Sequence, residues 1–450
     1  MTFPSYPVYK DSGVEWLGQV PEHWTTIAIK WLSPVFRGAS PRPIDDPIYF
    51  DDEGEFGWVR IADVTASPDG YLYQTTQKLS ALGSSLSVKL NPGELFLSIA
   101  GSVGKPCITK IKACIHDGFV YFSRLPIDQR LLYRVFESGL CFGGLGKMGT
   151  QLNLNTDTVG GICIAVPPTT ELSNTLAFLD HETARIDALI EEQQRLIELL
   201  KEKRQAVISR AVTKGLDPTV PMKDSGVEWL GEVPAHWVCK TYRYAAVIYR
   251  GKFSHRPRND PSLYDGEFAF IQTGDIARAD KYIRDYKQTL NERGIEVSQK
   301  FPAETLVMAI AANVGDTAIL GFEAYAPDSV VGFKPERGIE LEFLRFSLIA
   351  ALQELIKTST QSTQANLNID RISGIQSVFP PAAEQSEIAN HLNNLMDQFS
   401  RLEHQAETSI ELMKERRSAL ISAAVTGKID VRGWLPLASE PFHELAQEAV

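Results

Sequence analysis

The chain has 450 residues, of which 44% are hydrophobic and 22% charged, and its formal net charge is −11 at pH 7. That apolar content excludes a disordered or collagen-like chain, and the apolar runs are far shorter than the ~20 residues of a membrane span. The five cysteines include no CxxC pair, which argues against a disulfide framework or a thiolate zinc site and fits a reducing cytoplasm. The first residues carry no basic segment followed by an apolar one, so we expect no secretory signal.

An internal repeat organises the chain. Residues 10–24 read KDSGVEWLGQVPEHW and residues 223–237 read KDSGVEWLGEVPAHW, which are identical at thirteen of fifteen positions at an offset of 213. The same offset aligns Pro167 and Pro168 with Pro380 and Pro381, and it aligns residues 201–217 with residues 414–430. Three blocks in one register indicate one unit written twice, namely an arm, a middle domain and a terminal segment.

The repeat predicts the order of domains. The acidic excess lies outside the two middle domains, which are each neutral, so a basic face is possible in either. The predicted segments are an arm (1–24), a first middle domain (25–167), a central helical region (168–217), a repeat of the arm (218–237), a second middle domain (238–379), a C-terminal helical region (380–433) and an acidic tail (434–450).

The middle domains show patterns typical of mixed, strand-rich structure. Residues 56–64 and 268–276 are predicted as short strands, and residues 95–100 and 306–311 as buried strands. Residues 131–136 and 341–356 are predicted as helices. The chain is therefore expected to be α+β, with two mixed α/β domains separated by two long helices and a pseudo-twofold internal repeat.

The terminal segments are predicted to be these long helices. Residues 171–212 contain no Gly or Pro, and apolar residues recur there at alternating steps of four and three, which favours a coiled coil. An antiparallel coiled coil between the two copies is the preferred interpretation, with two independent bundle helices as the alternative. The predicted seam consists of Leu172, Leu176, Leu179, Ile186, Ile190, Ile197, Leu200 and Val207 in the first copy and Leu392, Met396, Phe399, Ile410, Met413 and Leu420 in the second.

The sequence contains only incomplete matches to known catalytic motifs. Residues 142–146 (FGGLG) match a loop that binds S-adenosylmethionine, but a helix is predicted before them where a strand is required. No Asp/Asn-Pro-Pro-aromatic tetrapeptide is present to hold a flipped base. The glycines of residues 101–106 do not have P-loop spacing, and the histidines show no metal-binding spacing, so we expect neither a catalytic nor a metal site.

Binding is the chemistry that remains. Arg and Lys side chains on loops can hold phosphates, and a bidentate Arg can read guanine, although an ordinary solvated charge is the simpler interpretation for any single residue. The cluster RGKFSHRPR at residues 250–258 is the stronger candidate because five basic residues lie within nine. The basic candidates are Arg37, Arg42, Arg60, Lys78 and Lys105 in the first middle domain and Arg250, Lys252, Arg256, Arg258, Arg278 and Lys281 in the second.

A polar stretch before each Pro-Pro pair supplies further candidates. Asn and Gln can pair bidentately with adenine, whereas the simpler alternative is a capped loop that leads into a strand. The candidates in these stretches are Lys147, Thr150, Gln151 and Asn153, followed by Gln361, Gln364 and Asn366.

The arm KDSGVEWLGxVPxHW, the NLN stretches, the Pro-Pro-x-x-Glu pattern at Glu171 and Glu384, and the duplicated layout together resemble the DNA specificity (S) subunit of Type I restriction-modification systems. The resemblance covers nearly the whole chain. Leu172 is a small departure, because the family often has Gln at that position, as at Gln385.

The resemblance implies that the middle domains are target-recognition domains, each of which reads one half of a split, asymmetric sequence in double-stranded DNA. It also implies two modification (M) subunits that carry S-adenosylmethionine, and restriction (R) subunits that use ATP and Mg²⁺, so this chain itself would bind no cofactor and carry no catalytic residue. The helix pair would set the gap between the half-sites, and lengthening the seam near Gln193 would then change that gap.

The alternative function is a coiled-coil scaffold that links two protein-binding domains without reading DNA. It explains the seam and the repeat equally well. It does not explain why the middle domains diverge while keeping Arg-Gly and Arg-Pro positions.

Overall fold

A computed structural model of the chain describes residues 3–67, 69–145, 154–357, 367 and 369–435. The chain divides into two compact units. The first takes in the residues up to Gln193 and those from Thr408 onward, and the second is Gln194–Glu407. Each unit therefore contains one middle domain and part of each of two long helices.

The first unit is built from short strands and short helices. Its strands are β1 (Tyr9–Asp11), β2 (Gln19–Pro21), β3 (Thr25–Ala28), β4 (Val35–Arg37), β5 (Phe56–Val59), β6 (Tyr71–Leu72), β7 (Gln77–Leu79), β8 (Val88–Leu90), β9 (Leu95–Ser98), β10 (Pro106–Thr109), β11 (Ala113–Ile115), β12 (Phe119–Phe122) and β13 (Cys163–Val166). Its short helices are α1 (Ile29–Leu32), α2 (Ile61–Ala66), α3 (Ala81–Ser85), α4 (Gln129–Glu137) and α5 (Thr156–Gly161).

These strands form two main sheets. The larger has the order β4-β12-β9-β10-β6 and the smaller has the order β7-β5-β11-β8. Strands β1 and β2 form a hairpin, and β3 pairs with β13 in antiparallel register, so the start and the end of the middle domain meet. The central strands β9 and β10 are fully buried, which fits the short, continuous apolar runs of their sequences.

The first long helix, α6 (Thr169–Lys214), leads into the second unit. The strands there are β14 (Met222–Asp224), β15 (Glu232–Pro234), β16 (Val238–Thr241), β17 (Ala246–Arg250), β18 (Tyr264–Phe270), β19 (Tyr282–Ile283), β20 (Gln288–Leu290), β21 (Gln299–Phe301), β22 (Leu306–Ala309), β23 (Thr317–Leu320), β24 (Ala324–Ala326), β25 (Val330–Pro335) and β26 (Gln376–Phe379). The helices are α7 (Thr273–Arg278), α8 (Glu292–Glu296), α9 (Leu341–Lys357), α10 (Ile369–Gly374) and the second long helix, α11 (Ala382–Val425).

The two units share one topology. The second unit has a five-stranded sheet of order β17-β25-β22-β23-β19 and a four-stranded sheet of order β20-β18-β24-β21. Each of these strands occupies the place of its counterpart in the first unit. The internal repeat is therefore a repeat of fold as well as of sequence, even where the two middle domains share few residues.

The long helices span 46 residues (α6) and 44 residues (α11). In the first unit, the start of α6 and the end of α11 share one core, with Leu176 and Val425 fully buried. In the second unit, the end of α6 packs with the start of α11 around Val212 and Ile388. The helices thus run antiparallel in each unit, and together with the mixed α/β domains they confirm the predicted fold class.

The residues of the predicted seam differ in their burial. Ile190, Ile197, Val207 and Met413 are partly buried. The buried ones are Leu172, Leu176, Leu179, Ile186, Leu200, Leu392, Met396, Phe399, Ile410 and Leu420.

The strand predicted over residues 56–64 is wrong in its second half. Strand β5 ends at Val59, and helix α2 begins at Ile61 because the Asp63 carboxylate accepts a hydrogen bond from the Arg60 backbone N–H. In the second unit, the Asp275 carboxylate accepts the equivalent hydrogen bond from the Gln272 N–H, and α7 begins there after β18. The strand predicted over residues 268–276 is therefore wrong in its second half too. Capping is a local side-chain preference that the apolar pattern conceals.

Within the described residues, no helix is long and apolar enough to cross a membrane. The same part of the chain contains no group of three or more His, Cys, Asp or Glu side chains that could hold a metal ion.

Candidate nucleic-acid interface

Asp117 holds two of the candidate arginines of the first unit. It lies in the turn between β11 and β12. Its carboxylate accepts a hydrogen bond from Arg42 at 3.0 Å, and its backbone carbonyl accepts one from the Nε of Arg37. The Arg42 side chain is 73% exposed, and so exposed an ion pair contributes at most about 1 kcal/mol to stability. The pair therefore orients a guanidinium that has further N–H donors to offer a phosphate.

Asp328 makes the equivalent arrangement in the second unit, in the turn before β25. Its carbonyl accepts a hydrogen bond from Arg250 Nε at 2.7 Å, and both carboxylate oxygens lie 2.8 Å from Nη2 of Arg258. Arg256, which the sequence alignment pairs with Arg42, instead donates to the carbonyls of Phe253 and His255. Sequence reasoning missed both aspartates, although an alignment of the turns before β12 and β25 places them at matching positions.

A second pair of equivalent positions lies where β5 and β18 end. Arg60 donates a hydrogen bond to the side chain of Gln77 in the first unit. Gln272 donates to the side chain of Gln288 in the second. Both Arg60 and Gln272 are exposed and precede a capped helix, so the backbone on which each side chain stands is fixed. The two units thus present different hydrogen-bonding groups on the same framework.

In the second unit these groups surround one open cavity of about 510 Å³. Arg258, Gln272 and Gln288 line it beside the rings of Phe253 and Tyr264. Amide and guanidinium groups next to aromatic faces can both hydrogen-bond and stack with a nucleobase. The cavity therefore has the chemistry of a nucleic-acid contact surface.

The remaining basic candidates are exposed or make other contacts. Lys105 donates to the carbonyl of Thr65 at 3.2 Å, and Lys78 and Lys252 are exposed. Arg278 forms an ion pair with Asp275, and Lys281 forms one with Glu342.

Only the last residues of the first polar stretch, and Leu367 in the second, lie within the described residues. Asn155, the last residue of the first stretch, caps helix α5 by accepting a hydrogen bond from the Thr158 N–H. The candidates Lys147, Thr150, Gln151, Asn153, Gln361, Gln364 and Asn366 lie outside the described residues.

The arm and the Pro-Pro-x-x-Glu pattern meet in a single contact. The Glu171 carboxylate accepts hydrogen bonds from Tyr6, from Trp24 Nε1 at 2.8 Å, and from His23 at 2.8 Å. Burial and the neighbouring Glu171 raise the pKa of Tyr6. In the second unit, the Glu384 carboxylate accepts hydrogen bonds from Trp237 Nε1 at 3.0 Å and from His236 at 2.9 Å. Each copy of the arm is therefore anchored to the start of a long helix by a carboxylate.

Comparisons with known proteins agree with this architecture. Residues 259–412 match the model of the Type I restriction modification DNA specificity domain. A chain solved in work on complex assembly and conformational transition of the type I R-M system has a TM-score of 0.65 and 15% identity, with 91% of this chain and 99% of that chain covered.

A second solved structure, the HsdS subunit from Thermoanaerobacter tengcongensis, has a TM-score of 0.51 and 14% identity, with 91% of this chain and 98% of that chain covered. At these identities the two structures show a shared fold. Residues 259–412 thus match the Type I restriction modification DNA specificity domain, and the chain as a whole shares the fold of these two solved structures.

Proposed function

We propose that the chain is the non-catalytic DNA-reading subunit of a Type I restriction-modification complex and that each unit reads one half of a bipartite target in double-stranded DNA. One observation carries the proposal. The two units repeat the same strand order, and in each an equivalent aspartate holds two arginines. They differ at Arg60 and Gln272, which stand at equivalent exposed positions. A shared framework with different hydrogen-bonding groups suits two different half-sites.

The side chains at these two positions suggest which bases each unit contacts. Arg pairs bidentately with the O6 and N7 of guanine, and Gln pairs with the N6 and N7 of adenine. The arginines at Asp117 and Asp328 are suited to hold phosphates, which set register but carry no sequence information. We infer that Arg60 contributes to one half-site and Gln272 to the other.

The test is to express the chain with a cognate modification subunit in a host without DNA methylation and to map N6-methyladenine across the genome. The expected result is one split motif with a fixed gap. Exchanging residues 25–167 for those of another specificity subunit is expected to change one half only. Arg60→Gln is expected to weaken a guanine preference in that same half, at a cost of about 1–3 kcal/mol for the lost contact.

The matched control is Gln272→Ala, which is expected to alter the other half-site and leave the first unchanged. Methylation at a continuous motif would contradict bipartite reading. Absence of methylation, with a partner shown to bind both S-adenosylmethionine and this chain, would favour the scaffold alternative.

We also propose that the long helices recruit the catalytic subunits. In the first unit Leu189 and Leu412 are exposed, and in the second unit their repeat partners Leu402 and Leu199 are exposed as well. We infer a docking role for these leucines because they are exposed at repeat-equivalent positions in both units. Two equivalent surfaces fit two modification subunits, which would carry S-adenosylmethionine, while restriction subunits would use ATP and Mg²⁺.

A further inference from the structure

Two arginines in the first unit are neutralised by carboxylates of the protein itself. Arg134 on α4 and Arg417 on α11 share Glu137, at 2.8 and 3.0 Å. Arg134 also pairs with Asp180 at 2.8 Å, and Arg417 pairs with Asp187 at 2.8 Å. Each guanidinium therefore has two acidic partners.

The second unit keeps the arginines and lacks these carboxylates. Arg345 on α9 stands at the place of Arg134, and Arg204 on α6 is the repeat partner of Arg417. The three positions that hold acids in the first unit are occupied in the second by Leu348, Asn393 and Ser400.

The surroundings of these arginines leave their charge poorly compensated. Arg345 is 7% exposed, and its Nε has no hydrogen-bond partner among the described residues. Its Nη2 donates to the carbonyl of Asp280 at 3.1 Å, and the ion pair of Arg204 with Glu403 is long, at 3.8 Å. Burial and the charge of Arg204 lower the pKa of Arg345, and the more weakly acting Glu342 and Asp280 only partly offset them. A buried, unpaired charge is costly, so a bound anion would stabilise this arrangement.

An open cavity of about 400 Å³ lies at the two arginines. Asp316 also lines the cavity, and burial raises the pKa of its carboxyl. The polar side chains around the arginines are Lys201, Gln205, Asp280, Asp316 and Thr317.

We propose that this cavity of the second unit binds a phosphate group, which supplies the counter-charge that Glu137, Asp180 and Asp187 supply in the first. The guanidinium fork matches the oxygens of a phosphate, and Lys201 adds a third cation. The phosphate can be inorganic phosphate or a phosphate of the DNA backbone. Only the second source rests on the proposed function.

The first test uses inorganic phosphate and the full chain. The melting temperature of the second unit is measured with increasing phosphate at constant ionic strength, with chloride as the balancing salt. Phosphate is expected to raise it by about 2 °C or more. Ser400→Asp places a carboxylate at the repeat position of Asp187, where it can pair with Arg204. This variant is expected to lose most of the rise in melting temperature.

The matched control is Asp187→Ser, which removes the carboxylate from the first unit and leaves the second unit's cavity unchanged. It is expected to keep at least the wild-type response. Arg345→Met is a second probe of the cavity and is expected to remove the response, whereas Ser400→Asp keeps the test valid if Arg345→Met fails to fold.

The second test measures the affinity for the mapped DNA target. Single phosphates of that target are replaced by neutral methylphosphonates. If DNA supplies the phosphate, one substitution is expected to lower the affinity of the wild type at least fivefold and to have little effect on Ser400→Asp. If inorganic phosphate raises the melting temperature and no methylphosphonate position lowers the affinity for DNA, the site binds free phosphate. The proposal is overturned if the wild type responds in neither assay, or if Ser400→Asp responds like the wild type in both.

Discussion

At the scale of single residues, His116 ties the candidate arginines of the first unit to the core. Its Nδ1 accepts a hydrogen bond from the Gly118 N–H at 2.8 Å, and its ring lies 4.6 Å from that of Phe119. This contact holds the turn that carries Asp117, and it requires the neutral form of the imidazole. Burial lowers the pKa of His116 accordingly.

A pH dependence follows from that contact. Because the folded pKa of His116 is below the unfolded value of about 6.5, its contribution to stability is present above that pH and is lost as the pH falls. We expect the wild type to lose about 1 kcal/mol more than His116→Gln between pH 7.5 and 5.5, which is the value of one hydrogen bond. Urea unfolding at both pH values measures the difference.

The second unit is an internal reference, because Pro327 precedes Asp328 where His116 precedes Asp117. Its unfolding should not show this contribution. Equal losses in the wild type and in His116→Gln would show that the Gly118 contact does not depend on the charge of the histidine.

At the scale of elements, the contacts between the arms and the long helices are similar in pattern and unequal in strength. The Glu171 side chain is 5% exposed and binds three donors, one of them Tyr6. The Glu384 side chain is 29% exposed, and Thr219 stands at the repeat position of Tyr6. The more buried carboxylate is expected to contribute more to stability, because its removal leaves buried donors unpaired.

Alanine substitutions test this difference. Glu171→Ala is expected to lower the free energy of unfolding of the first unit by about 3 kcal/mol, and Glu384→Ala to lower that of the second by about 1 kcal/mol. Calorimetric unfolding of the full chain measures both. A larger effect of Glu384→Ala would contradict the argument from burial.

At the scale of the whole molecule, two units with one topology present equivalent exposed leucines. Leu199 is 52% exposed and its repeat partner Leu412 is 60% exposed. Leu199 lies in the second unit and Leu412 lies in the first. A molecule that recruits two identical subunits is therefore expected to use each leucine for one of them.

We therefore expect Leu199→Lys and Leu412→Lys each to reduce the number of bound modification subunits from two to one, and the double variant to bind none. Native mass spectrometry of the co-purified complex counts the subunits. Leu82→Lys is the control, because Leu82 is exposed on α3, which packs against β7 and β8. Binding of two subunits to the double variant would place the docking surface elsewhere.

The sequence by itself determined the repeat, the long helices and the mixed character of the middle domains, because periodicity and self-similarity are properties of the chain order. It also singled out the arm and the Pro-Pro-x-x-Glu pattern. It did not show that these motifs touch, since Trp24 and Glu171 are 147 residues apart.

The tertiary structure decided which charges have partners. Asp117 and Asp328 became visible as the holders of arginines only once the turns before β12 and β25 were in place. The packing of the second unit leaves the Nε of the buried Arg345 without a hydrogen-bond partner among the described residues. The cost of a buried charge depends on groups that are distant in sequence and close in space, and no local pattern along the chain contains that information.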